Sequence, residues 1–183
     1  MATASAPNRT IVAVLFLVGG ALQLLGAIVG FANVGNAGGF YLLSNLVLGV
    51  GFVLLMVWFA ATMVARIGYL IAAIGWLLLA VSGLINVPFL SAAATLIAIV
   101  GSVFAGVIVI MGRPFGGKTS IYADTIFFVA MLVGALELLL SQNGNVPNVV
   151  RVLTVVLFGA LLVVAGILIL GKRFSRPTMS SGA

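Results

Sequence analysis

Six apolar stretches run almost without interruption from residue 11 to residue 170, near 11–32, 40–63, 67–86, 90–111, 122–141 and 149–170. Apolar residues follow one another continuously instead of alternating, so the pattern predicts helices and not barrel strands. A hydrocarbon core about 30 Å thick takes roughly 20 residues at helical rise, and each stretch meets that length. Between them lie short polar segments: Asn33 to Gly39, which carries no charge; Arg66; Asn86-Val87-Pro88; the basic segment Gly112 to Ser120; and the turn Ser141 to Asn148. The expected architecture is an all-α integral membrane protein of six transmembrane helices. Residues 1–10, small and polar with Arg9 as their one base, predict a disordered N-terminal segment. Residues 11–171 form the helical domain and residues 172–183 a basic tail. The first stretch exceeds the roughly 7–15 residues of a signal-peptide core, so it is read as a retained first helix. Cleavage near Ala32, the alternative, leaves five spans.

The polar punctuation repeats. A shift of 59 positions carries Gly75 to Gly134, Ser82 to Ser141 and Asn86-Val87-Pro88 to Asn145-Val146-Pro147. The same shift carries Gly112, Arg113 and Phe115 to Gly171, Lys172 and Phe174. The first hairpin joins through Gly20-Ala21-Leu22-Gln23-Leu24-Leu25, which mirrors Gly134-Ala135-Leu136-Glu137-Leu138-Leu139; the middle copy reads Gly75-Trp76-Leu77-Leu78-Leu79-Ala80. Three tandem helical hairpins, about 11–66, 67–118 and 119–174, related by a pseudo-threefold axis along the membrane normal, are the expected arrangement.

In this pattern the chain resembles the HdeD-type acid-resistance membrane proteins: three tandem two-helix repeats, six spans, glycine punctuation (Gly75, Gly83, Gly101, Gly106) and a proline, Pro88, at a turn. The resemblance covers about residues 11–174. It implies the six-span hairpin fold and a stress-related role. That family shares a short repeat of otherwise unknown function, so no site residue is carried over.

Composition sharpens the class. Of 183 residues, 64% are hydrophobic and 5% charged, and the mean hydropathy is +1.42. A soluble domain of this size cannot hide that much apolar surface, so lipid must cover the excess. The net charge of +6 is distributed over helix ends and forms no patch for nucleic acid. Arg9, Arg66, Arg113, Lys118, Lys172, Arg173 and Arg176 fall on one side of the expected topology and Arg151 alone on the other. Lysine- and arginine-rich short loops stay inside, which predicts a plasma-membrane protein with both termini cytoplasmic. The three bases of the tail fall short of the four to eight of a lipid-specific cluster.

The chain has no Cys and no His, which removes thiolate and imidazole chemistry and the metal sites they build. No G-x-S-x-G elbow occurs, and neither enzymatic activity nor a cofactor is expected. Gly112 to Thr119 fits G-x-x-x-x-G-K-[ST] as a string. It follows an apolar helix and not a strand, so it lacks the context of a phosphate loop.

Glu137 and Arg151 are the sharpest chemical feature. Each lies seven positions from Gly144, which places them at similar depth in an antiparallel hairpin. Three readings stand: an ion pair clamping the last two helices, a proton- or cation-responsive carboxylate facing the bundle interior, or an arginine that snorkels to the interface beside an independent glutamate. Gln23 occupies the repeat position of Glu137 and is expected to hydrogen-bond between helices. Gly26, Gly30, Gly101, Gly106, Gly159 and Gly166 form small-residue seams for helix packing, within the chain or between copies. Trp58, Trp76, Tyr41, Tyr69 and Tyr122 read as interface or packing aromatics. Asp124 sits in the first turns of the fifth helix, where an acid suits the helix dipole. The leading expectation is a structural, stress-related or accessory membrane protein whose partners are the lipid bilayer and a second copy or a membrane complex. The alternative is a small-solute or proton-coupled transporter.

Overall fold

The computed structural model describes residues 6–85, 87–115 and 120–171. It contains six helices: α1 (Ala6–Phe31), α2 (Ala37–Phe59), α3 (Met63–Ile85), α4 (Pro88–Gly112), α5 (Ser120–Gln142) and α6 (Asn148–Gly171). Each is long and apolar enough to cross a membrane. Helix α1 begins at Ala6, so residues 6–10, expected to be disordered, are helical. Pro7 lies in the first turn, where its missing N–H has no helical acceptor to lose. Residues 1–5, the glycine and lysine portion of the 112–120 loop (116–119), and the basic tail 172–183 lie outside the described residues.

The connections are too short to do anything but reverse the chain, so successive helices run antiparallel. Arg113 caps α4 in the left-handed conformation (φ 44°), and its N–H donates to the Val109 carbonyl at 2.9 Å. Among the described residues each helix packs on its neighbours in sequence, and α6 returns to α1. The result is a closed ring of six. One end carries the 32–36 and 143–147 turns and is called here the turn end. The opposite end carries Arg9, Arg66 and Arg113 and is called the basic end.

Large aromatic side chains fill the ring. Phe16, Phe52 and Phe127, from α1, α2 and α5, meet edge to face with centroids 4.8 to 6.3 Å apart, the geometry their quadrupoles favour. Phe115 folds inward at the basic end and adds its ring to Phe59 and Phe127. Nearer the middle, Trp76 of α3 stacks across the ring on Phe158 of α6 at 5.7 Å, and its indole N–H donates to Ser102 Oγ at 3.1 Å. The outside is apolar: Ile28, Phe31, Leu84, Phe89, Met111 and Leu153 are each more than 60% exposed. This inverted distribution suits a bundle surrounded by hydrocarbon, since a contiguous apolar surface of this size is rare on a soluble monomer.

Two seams bring backbones together. On α3 and α4, Gly75 lies against the Ala98 backbone and Gly101 against the Ala72 backbone, in a reciprocal pair. On α1 and α6, a methyl group added at Gly159 would sit 2.8 Å from the Gly20 carbonyl oxygen, and one at Gly166 would sit 2.9 Å from that of Ala13. No side chain larger than hydrogen fits at either crossing without moving a helix. Gly101→Leu is expected to destabilise the bundle by about 1–3 kcal/mol through overpacking, read as a lower thermal midpoint in detergent. Leu84→Val, on the exposed face, is expected to leave the midpoint unchanged; equal midpoints for both variants would contradict the crossing.

Candidate functional site

The aromatic filling stops short of the turn end. Beyond Trp76 the ring opens into a cavity of about 230 Å³ bounded by Gln23 of α1, Tyr41 and Asn45 of α2, Trp76 and Leu79 of α3, Glu137 and Leu138 of α5, and Val155 of α6. At 1.5 Å rise per residue, Gln23, Asn45 and Trp76 lie roughly 12 to 14 Å along their helices from the turn end, and Tyr41 and Glu137 roughly 6 to 8 Å. The cavity therefore lies in the turn half of the ring and is called here the vestibule. Trp76 lies in its deep part, and Tyr41 and Glu137 stand nearer the turn end.

Local sequence sets each of these positions. Tyr41 and Asn45 are spaced i, i+4, so they share one face of α2. Tyr41 lies against α1 because Gly26 leaves room: a methyl group there would approach Tyr41 Cε1 to 2.7 Å. Gln23 is only 4% exposed. Trp76 has its single donor occupied by Ser102 and presents only carbon to the cavity. Around the rim, Gln142 Nε2 donates to Thr95 Oγ1 at 3.1 Å, and Thr95 donates in turn to the Ser91 carbonyl at 2.8 Å, which ties α5 to α4.

Glu137 and Arg151 are not an ion pair. Arg151 lines a second, adjoining cavity of about 170 Å³ with Asn148, Ala27, Gly30 and Ala37, and its guanidinium donates to the Asn143 carbonyl of the turn. The two cavities share Tyr41 and Val155 as a partition. The clamp expected from their equal spacing about Gly144 fails for two reasons. The helices end at Gln142 and resume at Asn148, so Glu137 lies deeper than Arg151, and the two residues line different cavities. Gln23 also departs from expectation. It forms no interhelical hydrogen bond among the described residues and shares the vestibule with Glu137 instead. Among those residues the Glu137 carboxylate, the Gln23 and Asn45 amides and the Tyr41 hydroxyl converge on one space without a hydrogen-bond partner from the chain.

The remaining residues singled out in the sequence are packing elements. A methyl group added at Gly30 would sit 3.4 Å from the Ala37 methyl, and one at Gly106 would meet Met131 and Phe128 of α5. Gly101, Gly159 and Gly166 form the backbone seams described above, and Gly26 seats Tyr41. Tyr69 is buried in the basic half, Trp58 packs against the core, and Tyr122 is 69% exposed. Asp124, expected in the first turns of the fifth helix, lies there and is 1% exposed. Tyr41, expected as an interface or packing aromatic, and Asn45, which was not singled out, both line the cavity; a phenol and an amide at helical spacing in an apolar run are the signal that marks them.

A scan against protein-family models, a search of curated proteins and a search of solved structures each return no match.

The separation of the two charges has a direct consequence. In lipid, the infrared carboxyl titration of Glu137, identified by its loss in Glu137→Gln, is expected to have the same midpoint in Arg151→Ala as in wild type. A midpoint displaced by a unit or more in Arg151→Ala would mean that the two groups interact as a pair.

Proposed function

We propose that this chain is a multi-pass plasma-membrane protein with both termini cytoplasmic, without enzymatic activity, acting as a structural or stress-related component or as an accessory subunit of a membrane complex. The observation that carries this reading is the aromatic plug. Phe16, Phe52 and Phe127 touch across the ring, and a conducting path needs a continuous series of polar groups or carbonyls in place of such contacts. The apolar exterior supports membrane residence, and the position of Arg9, Arg66 and Arg113 at one end supports a cytoplasmic basic end. The sequential order of helices around the ring agrees with three tandem hairpins, although the glycine seams fall at α1/α6 and α3/α4 and do not recur in every hairpin. The resemblance to HdeD-type proteins supports the stress-related part of the reading.

A second reading, transport of a small solute, is favoured by the vestibule alone. Its polar groups end at Trp76, so a transport cycle would have to displace the plug.

Both topology and transport can be measured. The absence of native cysteine makes single-cysteine labelling clean. A cysteine at Asn145 is expected to react with an impermeant maleimide on intact cells, and one at Thr10 only after permeabilisation; the reverse pattern would overturn the orientation. In proteoliposomes, methylammonium uptake at the rate of empty vesicles is expected. Saturable uptake above that rate would replace the structural reading with the transport one.

A further inference from the structure

We propose that the vestibule binds one small organic ammonium ion from the turn end, with Glu137 as its counter-ion, Asn45 and Gln23 accepting its N–H hydrogen bonds, and Tyr41 and Trp76 supplying aromatic surface to its carbon part. The inference goes beyond the functional reading above, because a binding site serves an accessory subunit as well as a transporter.

Charge is the first argument. Glu137 is the one carboxyl group in the cavity wall, and no base lines that wall. The nearest cation, Arg151, is on the far side of the Tyr41–Val155 partition and is engaged with a backbone carbonyl. A carboxylate within an apolar bundle is costly without a partner, and the described residues provide none. An anion is repelled, and a cation is drawn in.

Unused hydrogen-bonding capacity is the second argument, and it is independent of the first. Gln23 is more than nine-tenths buried, has no hydrogen bond among the described residues, and lines the cavity. Its carbonyl and that of Asn45 are acceptors that the fold leaves available in the same cavity as the acid. An ammonium group brings the three donors that one carboxylate and two amide carbonyls can receive.

The third argument concerns shape and the rest of the wall. Trp76 cannot donate into the cavity, since its N–H is held by Ser102, and Leu79, Leu138 and Val155 complete an apolar lining. An inorganic cation gains nothing from that surface, whereas a short alkyl group does. A positive charge over the faces of Tyr and Trp gains further from their quadrupoles. At about 230 Å³ the space is below the 300–1,000 Å³ usual for drug-sized ligands, so the ligand is a few-carbon amine.

The experiment is a calorimetric titration of the full chain in lipid nanodiscs with ethylammonium chloride, in parallel with ethanol and potassium chloride. Wild type is expected to show saturable binding of ethylammonium alone. Glu137→Gln and Asn45→Leu are each expected to weaken it about tenfold or more, the scale of one charge-assisted contact, and Arg151→Ala to change it less than twofold. The thermal midpoint of each variant reports whether it folds. Should Glu137→Gln fail to fold, Asn45→Leu decides, with Trp76 fluorescence in a Trp58→Phe background as the second readout. Absence of saturable binding, equal response to ethanol or potassium, or undiminished affinity in Asn45→Leu or a folded Glu137→Gln would overturn the site. Binding without methylammonium uptake leaves both this site and the structural reading standing. Uptake overturns that reading and leaves the site. No binding overturns the site alone.

Discussion

The closure of α6 onto α1 is the constraint on which the rest depends. Helices in hydrocarbon gain little from burying one another's aliphatic surface, so association rests on close packing and on few polar contacts. Gly20 and Gly159 allow the first and last helices to meet carbonyl against Cα. With that contact made, six short-looped helices enclose a central space; with it lost, they form an open row. Both the aromatic plug and the vestibule are defined by the enclosure, because their residues come from helices that are not neighbours. Phe52 meets Phe127, and Trp76 meets Phe158, only across a closed ring.

Within the enclosure, chemistry is divided by depth. The basic half is filled by contacting phenylalanines, with Tyr69 and Asp124 also buried there. The turn half is lined by an acid, two amides and a phenol drawn from three helices. The boundary is Trp76, which is fixed on one side by stacking on Phe158 and by its hydrogen bond to Ser102. One residue thus completes the packing of the plug and forms part of the vestibule wall.

Much of the fold was legible from the chain. Continuous apolar runs separated by Gly, Asn, Pro and basic residues marked six helices and nearly all their limits, because burial in lipid leaves a length signal that tertiary packing does not blur. The start of α1 was missed: Pro7 and Arg9 read as polar tail, yet both are compatible with a first helical turn. The site was legible only in part. Glu137 stood out as an acid in an apolar run, and the repeat alignment linked it to Gln23, with which it does share a cavity. Its supposed partner was wrong, since counting residues from a turn gives approximate depth but not the rotation of a helix about its axis. That rotation turns Arg151 toward Asn143. For the same reason Tyr41 read only as a packing aromatic and Asn45 was not singled out: each is unremarkable singly, and only the azimuth of α2 shows that both share a cavity with Glu137.

The glycine seams divide the ring mechanically as well as structurally. Backbone-to-backbone contact locks α1 to α6 and α3 to α4, on opposite sides. Helices α2 and α5 meet these pairs through side chains, Leu77 over Gly49 and Phe158 over Gly134, and side chains can change rotamer where backbones cannot interpenetrate. The bundle is thus two stiff beams joined by two compliant staves. Tyr41 and Asn45 ride on one stave and Glu137 on the other. Any widening or narrowing of the vestibule is therefore carried by those two helices, while the beams keep the enclosure shut.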